Sequence, residues 1–368
     1  MTFACPKCNN TLQAEDTWAG RQTQCPYCKN NIIIPNFASI SGEGNEVFSK
    51  KATDFFSKTL GTEAPVDFSL SNFMNQIGRH HTWEEIEEFF AVGTKNTTPS
   101  LSQVSSAWPA PWLFIRVLAF FVISFLIVTW RENDLGTAAP MLLLFLGIVG
   151  IPFASLTFFM ELNSLKNISI AQIGKVVLAG GFLSMMLTLI AIKFFPSYRT
   201  APAYWAGPFE EITKGCIILL FVFNLRYRYK ANGLLIGAAV GVGFAIIETG
   251  SYVLVSSGED AGMETMILRA ICAPLGHVLY SSLVGYGIWI SRKATGEFDF
   301  SSLTKGQTIR PILLAIALHM FWNSPLLVSE FIVKMAIVAV VGYGAVIILL
   351  NSCIKEIRML QQSTMARQ

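Results

Sequence analysis

Acidic, basic and imidazole side chains occur within four apolar stretches of this chain, where a membrane-spanning helix would normally exclude them. In chain order they are Glu210, Glu211 and Lys214 in the first stretch, Glu248 in the second, His277 in the third, and His319 with Asn323 in the fourth. An ionisable group at membrane depth costs ~2.5–3.5 kcal/mol, so each one needs a partner or a chemical role. The alternative is a set of structural polar contacts between helices.

The spacing of these residues places them on shared helix faces. Four pairs are separated by four positions: Glu210 with Lys214, Phe244 with Glu248, His277 with Ser281, and His319 with Asn323. Residues at i and i+4 lie on one face of a helix. Four helices with one polar face each can bury those faces only against one another. The sequence therefore predicts a single polar site within the membrane.

Peptide-bond hydrolysis would use these residue types. It needs a base to activate water, donors for the oxyanion and an acid for the departing amine. A buried glutamate, Glu210 or Glu211, suits the role of base. His277 and His319 can hold the water or donate protons, and Asn323 is a plausible oxyanion donor.

Two further side chains take supporting roles in this interpretation. Lys214 follows Glu210 by one turn and is expected to orient and neutralise a carboxylate rather than to attack a substrate. Ser281 is interpreted as a packing or hydrogen-bonding residue. A serine nucleophile would require His319 beside it.

The charge of the predicted site is unbalanced. Three carboxylates and one ammonium give −3 + 1 = −2 with neutral imidazoles, and a buried site cannot keep that charge. Protons would give a glutamate-dependent protease. A divalent metal held by Glu248, His277 and His319 would give a metalloprotease. The chain has no H-E-x-x-H pair to fix two ligands on one helix face, which slightly favours the metal-free form.

The composition is that of a polytopic membrane protein. Of 368 residues, 52% are hydrophobic and 14% charged, and the mean hydropathy is +0.50. A net charge of +3 gives no sign of nucleic-acid binding. Eight apolar runs, most of them near the ~20 residues that cross a bilayer, predict an all-α domain over 111–353 with about eight transmembrane helices. The runs lie near 111–129, 137–160, 171–194, 208–225, 233–255, 267–291, 311–328 and 331–351.

Lysine and arginine predict the orientation in the cell membrane. With the N-terminus inside, twelve of them fall on the inner side and five on the outer side. The inner ones are Lys166, Lys175, Arg226, Arg228, Lys230, Arg292, Lys293, Lys305, Arg310, Lys355, Arg358 and Arg367; the outer ones are Arg131, Lys193, Arg199, Arg269 and Lys334. Both termini are expected in the cytosol, including a tail over 354–368.

The N-terminal 35 residues carry a metal-binding motif. Cys5, Cys8, Cys25 and Cys28 form a C-x2-C…C-x2-C pattern, which is typical of a small β-rich zinc ribbon with one structural Zn²⁺. Disulfides are the alternative, but they are not expected in a reducing cytosol. The ribbon has few cations, so a cytosolic protein partner is favoured over nucleic acid.

Residues 36–110 are expected to form a linker. Its first part, 36–62, is rich in Ser, Gly, Asn and Thr. A capping box at Thr82 and Glu85 predicts a short amphipathic helix over 82–90. His80 and His81, just before it, are expected to be exposed.

Four motifs, in order, carry a family resemblance. They are Glu-Glu-x-x-Lys (210–214), Phe-Ala-x-x-Glu (244–248), Gly-His-Val-Leu-Tyr-Ser (276–281) and His-Met-Phe-Trp-Asn (319–323). Over roughly 111–353 the chain resembles the PrsW family of intramembrane proteases, relatives of the CAAX prenyl endopeptidases and their bacterial homologues. The CAAX enzymes have histidine at the position of Glu248. The resemblance implies cleavage of membrane-anchored proteins, of which anti-sigma factors are the best-known substrates in the family.

Two other functions fit part of the pattern. Intramembrane Glu, Lys and His also mark the ion relays of transporters, but no inverted repeat is visible before residue 208. A non-catalytic scaffold or receptor that presents the ribbon is the other alternative. The four intact motifs argue against it.

Overall fold

The structure is a computed structural model of the chain. It divides the chain into two compact units, Met1–Val47 and Phe48–Gln368. The residues that it describes are 2–4, 11–13, 22–33, 50–62, 66, 68–195, 198, 200–224, 226–255, 259–292 and 297–365.

The N-terminal unit contains two antiparallel strand pairs. β1 (Thr2–Ala4) pairs with β2 (Thr11–Gln13), and β3 (Gln22–Gln24) pairs with β4 (Asn31–Ile33). Two-stranded pairs of this size are marginal on their own, so the unit needs further stabilisation.

Cysteines 25 and 28 lie in the connection between β3 and β4. The Cys25 side chain is buried, and its backbone N–H donates to the Asn30 carbonyl (2.9 Å). The Lys29 N–H donates to the Cys25 carbonyl at the same distance, which closes the turn. Cys5 and Cys8 lie outside the described residues. The zinc ribbon therefore stays a prediction.

The second unit is helical. Its helices are α1 (Lys50–Leu60), α2 (Leu70–Met74), α3 (Trp83–Ala91), α4 (Leu113–Trp130), α5 (Glu132–Leu135), α6 (Ala138–Leu162), α7 (Ile170–Lys193), α8 (Pro202–Val222), α9 (Lys230–Val255), α10 (Glu259–Cys272), α11 (His277–Ile290), α12 (Gly306–Asn323) and α13 (Phe331–Met365). All eight predicted apolar runs fall on these helices.

Six helical stretches of the described chain are long and apolar enough to cross a membrane. They are α4, α6, α7, α9, the stretch Gly262–Ile290 and α13. The two remaining runs, α8 and α12, fall short because they carry the polar site residues: three charged residues lie in α8, and His319 and Asn323 lie in α12. The expected number of eight spans is therefore not confirmed.

The sixth apolar run is broken into two helices. A short 3-10 turn, Ala273–Leu275, separates α10 from α11, and Gly276 follows it with a backbone that is not helical. Pro274 and Gly276 explain the break, since proline removes a backbone donor and glycine relaxes the backbone. The break places His277 at the first position of α11.

The predicted linker is partly folded. Helix α1 lies within 36–62, and Leu60, Phe73 and Val104 are buried in the main apolar core. The capping box is present, with the Thr82 hydroxyl accepting from the Glu85 N–H (3.3 Å). Helix α1 and these buried residues lie within the stretch predicted as linker, because apolar residues scattered through its polar sequence pack into the core, and the predicted bounds of the linker stay a prediction.

One of the two histidines before α3 is also buried. His80 is exposed as expected, whereas the His81 ring stacks on Trp112 with centroids 3.5 Å apart. Its Nδ1 lies 2.7 Å from a Glu85 carboxylate oxygen, and this contact lowers the pKa of Glu85. The stack and the ion pair join α3 to the start of α4.

The last helix continues through most of the predicted tail. α13 ends at Met365, and Ile354 and Ile357 are buried. The Gln361 amide donates to the carbonyls of Leu101 and Val104 (2.9 and 2.8 Å). The tail is therefore packed against the 101–104 turn.

Candidate active site

Lys214 and Glu211 form the buried centre of the polar site. Both side chains are fully buried on α8, and Lys214 Nζ donates to Glu211 Oε1 (2.6 Å). The ammonium also donates to His277 Nδ1 (2.9 Å) and lies over the Phe244 ring at 4.1 Å. His319 Nδ1 lies 2.9 Å from the same Glu211 oxygen. One carboxylate oxygen thus holds α8 and α12 together, and one ammonium joins α8 to α9 and α11.

Glu210 differs from Glu211 in its access to a cavity. Its carboxylate lines a cavity of about 640 Å³, whereas Glu211 does not. Glu210 Oε2 is buried and lacks a hydrogen-bond partner among the described residues. It lies 3.6 Å from Lys214 Nζ, 3.7 Å from His277 Nδ1 and 3.9 Å from His319 Nε2. A buried carboxylate oxygen without a partner is costly, so its position calls for a ligand or a water.

Glu248 holds the other side of the His277 ring. Its Oε2 lies 2.6 Å from His277 Nε2 and also accepts a hydrogen bond from Arg269 Nη2. Arg269 Nε donates to the Thr249 hydroxyl (3.2 Å). The predicted i, i+4 pair of Phe244 and Glu248 therefore meets one histidine from two sides, since the Phe244 and His277 ring centroids are 5.0 Å apart.

Arg269 is a residue that the sequence interpretation missed. It was counted as an outer-loop cation, whereas it lines the cavity as a partner of Glu248. With Arg269 the charge of the site becomes −3 + 2 = −1 rather than −2. A basic residue on an apolar helix within reach of an acid in the preceding helix is the signal that could have found it.

Tyr280 was also missed. Its ring stacks on His319 with centroids 5.1 Å apart, and its hydroxyl is buried without a hydrogen-bond partner in the described part of the chain. It lies three positions after His277 and lines the same cavity. The i, i+3 spacing from His277 was the available signal.

The remaining predicted residues fall in two places. Asn323 lines the cavity together with His319, as the spacing predicted. Ser281 does not line it, because its Cβ faces Gly241 in the contact between α9 and α11. His277 and Ser281 share a face only in part, and the packing role of Ser281 is the one that the geometry supports.

Glu210, His277 and His319 could hold a divalent metal. One ligand atom from each lies within 4.8 Å of the others. Each histidine has a carboxylate on its other ring nitrogen, Glu248 on His277 and Glu211 on His319. This arrangement is usual for metal-binding histidines, where the carboxylate fixes the ring. The residues therefore fit a catalytic metal.

The metal-binding group differs from the predicted one in a single ligand. The sequence interpretation placed Glu248 with the two histidines, whereas the geometry places Glu210 there and leaves Glu248 behind His277. Lys214 Nζ lies 2.9 Å from His277 Nδ1, so the ammonium and a divalent cation would compete for that nitrogen.

Comparisons with known proteins agree on one family. The model of the "PrsW family intramembrane metalloprotease" family matches residues 142–350, which include all four motifs. The Protease PrsW of Halalkalibacterium halodurans is 23% identical over 180 residues, 47% of this chain and 79% of that protein. The Protease PrsW of Shouchella clausii is 27% identical over 122 residues, 31% of this chain and 54% of that protein.

The residues that match the family model begin after α4 and end before the C-terminal tail. No solved structure matches the chain. The match covers more than half of the chain, from α6 to α13, and includes every residue of the polar site. The chain belongs to the PrsW family of intramembrane proteases.

Proposed function

We propose that the protein hydrolyses a peptide bond of membrane-anchored proteins in this cavity. The Glu210 carboxylate is the general base that activates the attacking water. The observation that carries this proposal is the buried, unpaired Glu210 Oε2 between two imidazoles. A group that activates water must have a free lone pair and lie beside space for the water. Glu210 meets both requirements.

Glu211 is the weaker candidate for this role. Its Oε1 already accepts from Lys214 and His319, and its Oε2, although also without a hydrogen-bond partner among the described residues, does not line the cavity. Removing it would free the ammonium and the imidazole that it holds. We therefore assign Glu211 as a positioning residue and favour Glu210 of the two glutamates that the sequence left open.

A divalent metal is compatible with the same site. Glu210, His277 and His319 would hold it, and Glu210 would then act as a ligand of the ion rather than as a free base. Such an ion lowers the pKa of a bound water and polarises a carbonyl group when it is present. Its charge would also more than offset the net −1 of the three glutamates, Lys214 and Arg269. The family description and this ligand group favour the metal-dependent form over the metal-free form that the sequence slightly favoured.

The other polar residues assist the reaction in this proposal. Glu248 keeps the proton of His277 on Nε2, so that the Nδ1 lone pair accepts from Lys214 Nζ and lies 3.7 Å from Glu210 Oε2. Asn323 lines the cavity near His319 and is the candidate donor to the oxyanion. His319 Nε2 lies 3.9 Å from Glu210 Oε2, so in the metal-free form it can take up the water proton from Glu210 and pass it to the departing amine.

The substrate class follows from the location of the site. The polar residues lie on helices of an integral membrane protein, so the substrate must reach them from the membrane. A single-span protein is the simplest substrate, with anti-sigma factors as the class that the family resemblance implies. We place the N-terminal unit in the cytosol as a zinc-binding module that docks a protein partner, separate from catalysis.

The test is cleavage of co-expressed single-span reporters by matched variants. E210Q keeps the shape of the side chain and removes its basicity, so cleavage should fall by ~10²-fold or more. E211Q should reduce cleavage together with the amount of folded protein, because it removes the charge that pairs with the buried Lys214 ammonium. S281A is the control, since Ser281 lies outside the cavity, and it should cleave normally.

Two results would overturn the proposal. Normal cleavage by E210Q would exclude Glu210 as the general base. Loss of cleavage in S281A, with E210Q active, would instead indicate a serine nucleophile.

A further inference from the structure

A second cation lines the catalytic cavity besides Arg269. Lys334, at the start of α13, is 4% exposed and contributes to the cavity wall. The sequence interpretation counted it as an outer-loop residue. A buried ammonium has three hydrogens to donate, and leaving one unused costs free energy.

The contacts of Lys334 leave part of that donor capacity unused. Its Nζ donates to the Ser324 carbonyl (2.7 Å) and lies 5.6 Å from the centre of the Phe321 ring. Among the described residues, no carboxylate lies within ion-pairing distance. Glu330, one turn earlier, is exposed and accepts from the Ser329 hydroxyl instead (2.7 Å).

The other charged groups in the cavity are already paired or negative. Arg269 is held by Glu248 and Thr249. Glu210 and Glu248 would repel an anion. Lys334 is therefore the cation in the described cavity wall that can accept a new anionic partner, and it lies on the wall that 322–334 contributes.

We propose that Lys334 forms a carboxylate-binding subsite of the catalytic cavity, which selects substrates with a carboxylate close to the cleaved bond. This inference rests on the proposed function, because it assigns a substrate preference to the same cavity. The carboxylate can come from an aspartate or glutamate side chain or from the C-terminus of the substrate. A cavity of about 640 Å³ has room for several peptide residues.

A purely structural role for Lys334 makes a different prediction. Ser324 ends α12, and a lysine that donates to the last carbonyls of a helix stabilises that end. A structural lysine would affect all substrates alike. A binding subsite changes the ratio between acidic and neutral substrates, so the experiment measures that ratio.

The experiment uses the full-length chain and matched single-span reporters. One series carries a single Glu at successive positions around the cleaved bond, and its twin carries Gln. A third series ends at those positions, so that the chain terminus supplies the carboxylate, with an extended version as its control. Cleavage is measured for the wild type, K334M, K334R and the exposed-lysine control K175M.

We expect the wild type to cleave one acidic reporter at least about tenfold better than its neutral twin, since a hydrogen bond to a charged partner gives a preference of that order. K334M should bring the ratio close to one, while K334R and K175M should keep it. A preference in the Glu series would show that Lys334 binds a side-chain carboxylate. A preference in the third series would show that it binds the carboxylate of the chain terminus. A wild-type ratio near one in all series, or an unchanged ratio in K334M, would overturn the inference.

A binding measurement separates this inference from the proposed function. Fluorescent peptides with Glu or Gln at the preferred position are titrated into E210Q and into E210Q with K334M. A preference for the Glu peptide that disappears with K334M supports the subsite even if the wild type cleaves no reporter. Equal binding of the two peptides to E210Q would refute it.

Discussion

Helices α4 and α9 are both apolar and long enough to cross a membrane, but they occupy opposite environments. In the most apolar part of α9, 78% of the residues are buried inside the protein, against 6% in α4. α4 exposes large side chains such as Phe120, Leu126 and Trp130. α9 is built instead from glycine, alanine and branched residues in its first half. Hydropathy identifies both as membrane helices, and side-chain size identifies the central one.

The reason lies in how helices associate in lipid. Lipid chains are as apolar as leucine, so helices gain little by burying large apolar side chains against each other, and close backbone packing decides instead. Gly233, Gly237 and Gly241 of α9 lie against backbone carbonyls of α11. The overlapping G-x-x-x-G steps thus hold α9 against the helix that begins with His277. The packing and the chemistry share one interface.

Breaking this interface should have the largest effect. In G237V the new side chain would meet the Ser281 carbonyl, which belongs to the backbone and cannot move aside. We expect ~3 kcal/mol or more of destabilisation, with loss of folded protein and of cleavage. The measurement is thermal unfolding in detergent together with reporter cleavage.

The matched control is A119V on the exposed side of α4. It adds the two terminal methyl groups of valine to an apolar helix, but Ala119 is exposed, so unfolding and cleavage should stay close to wild type. Similar losses in G237V and A119V would show that the glycine contacts do not distinguish the two helices.

Metal content should distinguish the central helices from the N-terminal unit. If both sites bind a metal, the full chain should hold two equivalents. Replacing Cys5, Cys8, Cys25 and Cys28 by serine should remove one, and H277A should remove the other, because each site loses ligands. Elemental analysis of the purified variants measures this.

Each result has a clear meaning. One equivalent that persists in H277A but disappears in the cysteine variant would show that only the N-terminal unit binds metal. The metal-free form of the catalytic site would then be the correct one. A wild-type chain with a single equivalent, unchanged in the cysteine variant and lost in H277A, would refute the ribbon.

Arg269 should have a smaller effect than the catalytic residues. R269L removes the cation behind Glu248 and leaves His277 less well oriented, so kcat should fall by ~10- to 100-fold, as for other residues that support a ligand. R269K should recover part of the loss, and KM should change little. R131L is the control, because Arg131 forms an exposed ion pair with Asp134 (2.9 Å). Equal effects of R269L and R131L would contradict a positioning role.

The sequence was a good guide to the helices and to the residues that converge. The predicted run 111–129 corresponds to the helix Leu113–Trp130, and the predicted run 137–160 corresponds to the helix Ala138–Leu162. Four polar motifs on successive helices did meet, because a polar face in a membrane can be buried only against another. Helix spacing alone was sufficient for these features.

Helix spacing did not predict which way a side chain points, or which residues distant in sequence come into contact. Glu210 and Glu211 are adjacent, and only the packed structure shows which one faces the cavity. Arg269 and Lys334 looked like loop cations because they lie in the last turn of α10 and in the first turn of α13. Their partners are 21 and ten residues away, beyond the reach of local spacing.

Asp299, in the segment before α12, should have the smallest effect. Its carboxylate accepts from the Ser301 N–H and hydroxyl (3.0 and 2.7 Å) and from the Ser302 hydroxyl (2.8 Å). These hydrogen bonds lower the pKa of Asp299 from 3.8 to about 2. A depressed pKa in the folded state means that the stabilisation is present above pH 3.8 and is lost as the pH falls through about 2.

D299N should therefore lower the unfolding temperature slightly near neutral pH, by ~1–2 °C, and leave cleavage unchanged. The difference from wild type should shrink as the pH is lowered from about 4 to about 2, because the wild-type carboxylate then becomes protonated. D134N is the control, since an exposed ion pair contributes little. A difference between D299N and wild type that stays constant down to pH ~2 would show that the hydrogen bonds of the segment do not depend on the charge. A loss of cleavage in D299N would show instead that this segment positions α12, and with it His319, more strongly than the packing of the central helices does.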